Sequence, residues 1–251
     1  MKAMILAAGL GSRLGSLTKD KPKALVSFQG KPLLQIIIQR LRFAGFNEIV
    51  INVHHFADQI IEYLDHCQVD GVEIMVSHEE KLLDTGGGIK NALNLLGGHP
   101  VLFYNVDILT ELDLKAFYEH HIASGAEVSL AVKNRPTSRQ LLFTPKGILA
   151  GWSYPERHLK IITRDSRKGY VHTGFSGVYI INPSVLSQMP EDEVFSITPW
   201  LIELSRDIDI CSYDHSDGKW FDLGRKNNFV KAEAKILLSE DGSPELKRKP
   251  K

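Results

Sequence analysis

Along the first half of the chain, short unbroken apolar runs alternate with amphipathic stretches. Residues 3–8 are apolar at every position, the mark of a strand buried on both faces. Residues 32–44 place their apolar positions at helical spacing and predict a helix. Residues 48–53 and 73–77 predict strands, with a helix over 57–65 between them. A glycine run opens a predicted helix at 88–96, followed by a fourth strand at 101–107 and a helix at 112–121. Strand–helix units repeated at this length call for a parallel sheet with right-handed crossovers.

The pattern then changes. Residues 127–133, 140–144, 148–152 and 171–181 predict strands with little helix between them, so antiparallel strands are expected beside the parallel ones. Helical segments return at 197–206 and 225–238. The expected fold is α/β, a Rossmann-like, mostly parallel sheet flanked by helices with added antiparallel strands in the C-terminal half. No linker divides it, so 1–238 is expected to form one domain. Residues 239–251 are polar, carry Gly242 and Pro244 and end basic, which predicts a disordered tail.

Composition narrows the partners. Lys plus Arg equals Asp plus Glu at 30 each over 251 residues, so no global field favours a nucleic acid or a membrane surface. An anionic substrate must be met by locally placed cations and metal. The two cysteines, Cys67 and Cys211, lack metal spacing and suit a reducing compartment. The N-terminal apolar run is too short for a secretory leader, and no run reaches membrane-spanning length. A cytoplasmic protein is expected.

The first predicted strand runs into Gly9-Leu10-Gly11-Ser12-Arg13-Leu14-Gly15. A glycine turn after a buried parallel strand lets backbone N–H groups approach phosphate. A dinucleotide-binding fingerprint fails, because Leu14 stands where a third small residue belongs. Asn52-Val53-His54 ends the second strand where a ribose-binding acid belongs. A P-loop fails too, since no Gly-Lys-Ser/Thr follows. Arg13 and Lys21-Pro22-Lys23 follow instead. Arg forks onto two phosphate oxygens and Lys supplies a mobile point charge, the combination polyphosphate needs in a neutral chain.

With these elements the chain resembles the sugar-1-phosphate nucleotidyltransferases, and most closely their short bacterial members that use N-acetylmuramic acid 1-phosphate. The resemblance rests on Gly9–Arg13, Lys21-Pro22-Lys23-Ala24-Leu25, Gly30-Lys31-Pro32-Leu33-Leu34, Leu83-Asp84-Thr85-Gly86-Gly87-Gly88-Ile89, Asn105-Val106-Asp107 and Trp220-Phe221-Asp222-Leu223-Gly224, in the family's order. It implies catalytic Arg13 and Lys23, and nucleotide contacts at Ala8, Gly9, Gly11, Ser12, Glu80, Thr85, Gly86 and Gly87. Two departures stand out. Val106 replaces a glycine and is expected to tighten the space beside the α-phosphate. A Glu-Lys-Pro element that binds the sugar phosphate is missing, and Arg135 or Arg139 is expected to substitute.

Asp107 ends a strongly apolar strand, and strand ends face the ligand crevice of an open α/β sheet. Asp222 emerges from a second apolar segment. A pair of carboxylates with phosphate oxygens suits Mg²⁺, the expected cofactor. Two strand glycines in Thr173–Val178 suggest a close approach. The resemblance puts Asn105, Gly177, Arg135 and Arg139 at the sugar. The expected partners are a nucleoside triphosphate and a sugar phosphate, with UTP and N-acetylmuramic acid 1-phosphate the preferred pair, GTP with a heptose or mannose 1-phosphate or CTP with phosphocholine the alternatives, and neither nucleic acid nor membrane involved. His54-His55 and His120-His121 point to opposite sides of their elements and make no chelate. Trp152 and Trp200 suit core or rim packing. An inactive regulatory subunit would have lost Arg13, Lys23, Asp107 or Asp222, and all four are present.

Overall fold

The computed structural model describes residues 1–67 and 69–246. Its elements run β1 (Lys2–Leu6), β2 (Ser27–Phe28), β3 (Lys31–Pro32), α1 (Leu33–Phe43), β4 (Glu48–Val53), α2 (Ala57–His66), β5 (Glu73–His78), α3 (Asp84–Asn91) and α4 (Leu93–Leu96). Then come β6 (Val101–Asn105), β7 (Ile108–Thr110), α5 (Leu114–Ser124), β8 (Val128–Lys133), β9 (Gln140–Phe143), β10 (Leu149–Tyr154) and β11 (Leu159–Ile162). The chain continues through β12 (Val171–Ile181), α6 (Pro183–Leu186), α7 (Ile197–Leu204), β13 (Ile210–Asp214), β14 (Trp220–Asp222), α8 (Lys226–Lys235), β15 (Ile236–Leu238) and β16 (Pro244–Leu246).

The main sheet has the order β11-β10-β9-β12-β6-β1-β4-β5, with β8 pairing β12 and β13. β1 lies parallel between β4 and β6, and β5 extends the parallel part. β12 is antiparallel to β6, β8 and β9, so it joins the parallel half to the antiparallel one. Alternation along β1 explains its unbroken apolar run. Ala3 and Ile5 join the core under α1, α2, α5 and α8, while Met4 and Leu6 join the core under α3, α4, α6 and α7. β1, β4, β5 and β6 all carry their carboxyl ends to one edge, where the cleft opens.

Several expected boundaries shift for physical reasons. The glycines at 86–88 lie inside α3, not before a helix starting at 88. The helix expected over 225–238 ends at Lys235, and β15 follows as half of a hairpin with β16. That hairpin occupies much of the stretch expected to be a disordered tail. Its turn carries Asp241-Gly242, with Gly242 at φ +80°, where a glycine is favoured. Arg40 donates to Ser243 Oγ and, at 3.1 Å, to the Leu112 carbonyl. Gln29 donates to the Ile236 carbonyl and accepts from Leu238 N at 3.2 Å. Residues 247–251 of that expected tail lie outside the described residues.

A buried histidine yields a pH prediction. His215 is 8% exposed, and its Nε2 lies 2.7 Å from Ser176 Oγ. Burial, with help from the Lys133 charge, pulls it down to about 4. The neutral ring is therefore the folded form. Below the unfolded value near 6.5 the unfolded chain gains a proton that the folded chain refuses. Stability is whole above that pH and falls until about pH 4, by up to about 3 kcal/mol. Urea unfolding at pH 7.5 and pH 5 should show wild type losing stability and His215→Gln losing less. Equal losses in both would refute the assignment.

Candidate functional site

The chain leaves β1 at Leu6 and turns through Gly11, whose φ of +68° is the left-handed conformation glycine favours. A methyl group at Gly11 would lie 3.0 Å from Thr18 Cγ2 and 3.1 Å from Lys23 Cβ, so the turn folds tightly on the segment bearing Lys23. Leu14 is fully buried and pins the loop to the core, which accounts for an apolar residue amid small ones. Thr18 Oγ1 donates to the Gly11 carbonyl at 3.0 Å. Arg13 and Ser12 are left exposed on the loop.

Beside the turn, Lys23 Nζ pairs with Asp107 Oδ2 at 3.0 Å, both side chains largely buried at 13% and 9% exposure. Asp107 follows β6 in a turn, and Leu223 N donates to its carbonyl at 2.8 Å, tying it to the end of β14. Asp222 lies beside it: a methyl group at Gly224 would sit 2.3 Å from Asp107 Oδ2 and 3.0 Å from Asp222 Oδ1. Glycine at 224 thus keeps open the space on which both carboxylates converge. Asn105 is seated against Gly177, which at φ +74° would place a methyl group 2.9 Å from Asn105 Nδ2.

One cavity of about 600 Å³ is lined by Ala8, Gly9, Gly11, Ser12, Arg13, Lys23, Thr85, Asn105 and Asp107, all expected from the sequence. Leu6, Leu10, Asn52, Glu79, Leu82, Asp84, Val194 and Gly224 complete it. Asp222 itself borders a smaller groove of about 230 Å³ with Trp220, Lys231 and Lys235.

Five other expected positions do not line this cleft. Glu80 lies in a different groove with Lys81 and Lys90, whereas Glu79 faces the cleft. Gly86 and Gly87 are buried packing positions that do not line the cleft. A methyl group at Gly86 would lie 2.3 Å from the Phe195 ring, and one at Gly87 would lie 2.1 Å from the Glu193 carbonyl. Gly177 contributes as the seat of Asn105 and does not line the cleft. Val106 is fully buried in the core and leaves the cleft's width unaffected.

Arg135 and Arg139 border a second cavity of about 580 Å³, walled by Trp152, Phe175 and Ile202. Their settings differ. Arg135 lies 4.0 Å over the Trp220 ring, donates from Nη2 to the Phe175 carbonyl at 2.8 Å and rests on Gly174. Burial pulls its guanidinium below the ordinary range, and the Asp222 carboxylate opposes this. Arg139 is exposed, 5.9 Å from the Tyr154 ring.

The residues that sequence reasoning missed are Asn52 and Glu79, 2% and 1% exposed. Ala7 N donates to Asn52 Oδ1 at 2.7 Å, Asn52 Nδ2 donates to Glu79 Oε1 at 2.6 Å, and Leu83 N donates to Glu79 Oε2 at 3.0 Å. Burial pushes the Glu79 carboxyl up, while the Leu83 and Asn52 hydrogen bonds oppose it. The signal was strand alternation: Ser77 is buried and His78 exposed, so the next inward position after β5 is 79.

Among the described residues no helix is long and apolar enough to cross a membrane. The profile of the nucleotidyl transferase family matches residues 2–143. An N-acetylmuramate alpha-1-phosphate uridylyltransferase of Neisseria meningitidis serogroup B is 34% identical over 93% of this chain and 97% of its own. A D-glycero-alpha-D-manno-heptose 1-phosphate guanylyltransferase of Aneurinibacillus thermoaerophilus is 29% identical over 94% and 98%. The crystal structure of HddC from Yersinia pseudotuberculosis matches with a TM-score of 0.73 at 25% identity, over 93% of this chain and 98% of that one.

Proposed function

This chain belongs to the nucleotidyl transferase family, and from that premise we propose that it joins the nucleoside monophosphate of a nucleoside triphosphate to a sugar 1-phosphate, releasing pyrophosphate. The preferred pair is UTP with N-acetylmuramic acid 1-phosphate. The observation that supports this reading is the single cleft in which the glycine turn, Arg13, Lys23 and Asp107 converge with the Gly224 opening.

A phosphate oxygen of the sugar 1-phosphate attacks the α-phosphorus, the bond to the β-phosphate breaks, and pyrophosphate leaves. The attacking oxygen is already ionised, so the chain need not supply a base. Its task is to bring two anions together and hold them in line. The Gly9–Ser12 turn receives the triphosphate on its backbone. Arg13, exposed at the rim, meets the departing pyrophosphate. Lys23, held against Asp107, carries its charge to the α-phosphate. Asn105, fixed by Gly177, orients the sugar.

Asp107 and Asp222 would hold a magnesium ion. The fit rests on the donor set: two carboxylates converge at Gly224, and among the described residues no third acidic, His or Cys side chain completes an all-protein cage. Magnesium favours such a pair, taking its other ligands from phosphate and water. When bound, it neutralises phosphate charge.

The test is a matrix of four nucleoside triphosphates against several sugar phosphates, scored by pyrophosphate release. UTP with N-acetylmuramic acid 1-phosphate should give the highest kcat/KM. The lactyl carboxylate of that sugar needs a partner, since burying it unpaired is costly. Charge reversal at Arg139 or Arg135 should therefore impair it more than N-acetylglucosamine 1-phosphate. A preference for GTP or CTP, or for a mannose, heptose or choline phosphate, would reject the pair and leave the reaction class. No pyrophosphate from any pair would reject the class.

A further inference from the structure

We propose that Arg135 is a positioning residue for Asp222: wedged between β12 and the Trp220 ring, it sets the place of β14 and so of the carboxylate that β14 carries. The inference rests on the reading that Asp107 and Asp222 hold a divalent cation.

Among the described residues β14 pairs with β7 alone and joins no ladder of the main sheet. Just past its end, Leu223 N donates to the Asp107 carbonyl at 2.8 Å. Backbone bonds therefore fix the edge along β7 and the end beside Asp107, and the side toward β12 is left to side chains. Trp220 and Asp222 are two positions apart, so they project from the same face of the strand. Trp220 Nε1 donates to the Ser176 carbonyl at 2.9 Å, and the Arg135 guanidinium lies 4.0 Å over the Trp220 ring. Arg135 Nη2 donates in turn to the Phe175 carbonyl at 2.8 Å.

β12 is shaped to receive both side chains. Its register with β8 shifts between Phe175 and Tyr179, and a bulge of this kind re-aims backbone and side chains beside a site. The successive carbonyls of Phe175 and Ser176, at the start of that shift, are the ones that accept from Arg135 and Trp220. Gly174 makes room for the wedge: a methyl group there would lie 2.8 Å from Arg135 Cζ and Nε.

Electrostatics point the same way. Burial pulls the guanidinium down and the Asp222 carboxylate opposes this, so the two charges act on each other. Arginine suits the place better than lysine. A planar guanidinium stacks on an indole while its edge donates to a carbonyl, whereas an ammonium is a point charge on a flexible stem. With Arg135 committed to this frame, the exposed Arg139 is left to meet the lactyl carboxylate.

The experiment titrates Mn²⁺ by electron paramagnetic resonance, with neither nucleotide nor sugar present. The proteins are wild type, Asp222→Asn, Arg135→Lys, Trp220→Leu and the double variant Arg135→Lys/Trp220→Leu. Arg135→Lys and Trp220→Leu both keep a positive charge at 135, so a changed affinity reports placement and not charge. Each should weaken Mn²⁺ binding about tenfold, the scale expected when a group that orients a metal ligand is lost. The double variant should bind no more weakly than the weaker single one, because both break the same wedge. With magnesium and substrates, Arg135→Lys should lower kcat by one common factor for N-acetylmuramic acid 1-phosphate and N-acetylglucosamine 1-phosphate, with both KM values nearly unchanged. The lysine stem fills much of the space of the arginine, so Arg135→Lys should fold, which urea titration checks. That variant decides the matter if Trp220→Leu does not fold. The proposal is overturned if Arg135→Lys binds Mn²⁺ like wild type, or if the two losses add. It is equally overturned if Arg135→Lys raises KM for the muramic acid substrate alone, which would make Arg135 a sugar contact. Loss of Mn²⁺ binding in Asp222→Asn leaves the metal reading standing in those cases. Mn²⁺ binding that is indifferent to Asp222→Asn rejects both.

Discussion

Asp107→Asn and Asp222→Asn should each lower turnover by about a hundredfold or more in saturating magnesium, because charge placed at the reacting phosphates is among the largest single contributions to such a rate. The two variants should differ in stability. Asp107 is the ion-pair partner of a Lys23 that is 13% exposed, so its neutralisation strands a largely buried ammonium and should cost about 1–3 kcal/mol. Asp222→Asn keeps an oxygen for the Gly224 N–H, now bound at 2.8 Å, and should unfold near wild type. Pyrophosphate release together with urea titration separates the two effects. Near-normal rates in both variants would reject the metal assignment.

Gly87→Ala should destabilise the protein even though alanine is the better helix former. The propensity gain is about 1 kcal/mol. Against it, the new methyl group would lie 2.1 Å from the Glu193 carbonyl and 2.9 Å from Leu83 Cβ. The carbonyl is main chain and cannot turn aside. The segment is also fixed to α3, since Gly86 N and Gly87 N donate to the Phe195 carbonyl at 2.9 and 3.1 Å, and Lys90 Nζ reaches the carbonyls of Pro190 and Glu191 at 2.7 Å each. A net loss of about 2 kcal/mol, or roughly 5 °C in Tm, is expected. Gly98→Ala, with open space around it, is the control. A Gly87→Ala protein melting at or above wild type would contradict this packing role.

The parallel half of the fold was legible because buried strands must be apolar on both faces, and β1, β4 and β6 carry that requirement openly. Asp107 and the turn from Gly9 were legible as cleft-lining positions for a related reason: strand ends in such a sheet open onto a crevice. The glycines at 86–88 were not. A glycine tract states that something comes close but not what, and here the neighbours are Phe195, Glu193 and the Asn52–Glu79 pair. Glu79 and Glu80 are adjacent and identical, so only the inward phase of β5 separates them. The hairpin of β15 and β16 was hidden by polar residues whose partners, Gln29 and Arg40, lie some two hundred positions earlier. Arg135 and Arg139 share a short segment, yet one is stacked on Trp220 and the other is exposed near the Tyr154 ring, a difference set by residues the segment does not contain.

That hairpin has a consequence for biogenesis. Gln29 precedes β3 and Arg40 lies in α1, so both are made long before their hydrogen-bonding partners at 236–243. During synthesis the nascent N-terminal half must wait, with the α1 surface uncovered, until those residues emerge. Contacts of such sequence separation slow folding and prolong the exposure of apolar surface. The waiting interval lasts on the order of ten seconds or more at typical translation rates. Chaperone demand should therefore fall on the partly made chain, before the β15–β16 hairpin can close over α1.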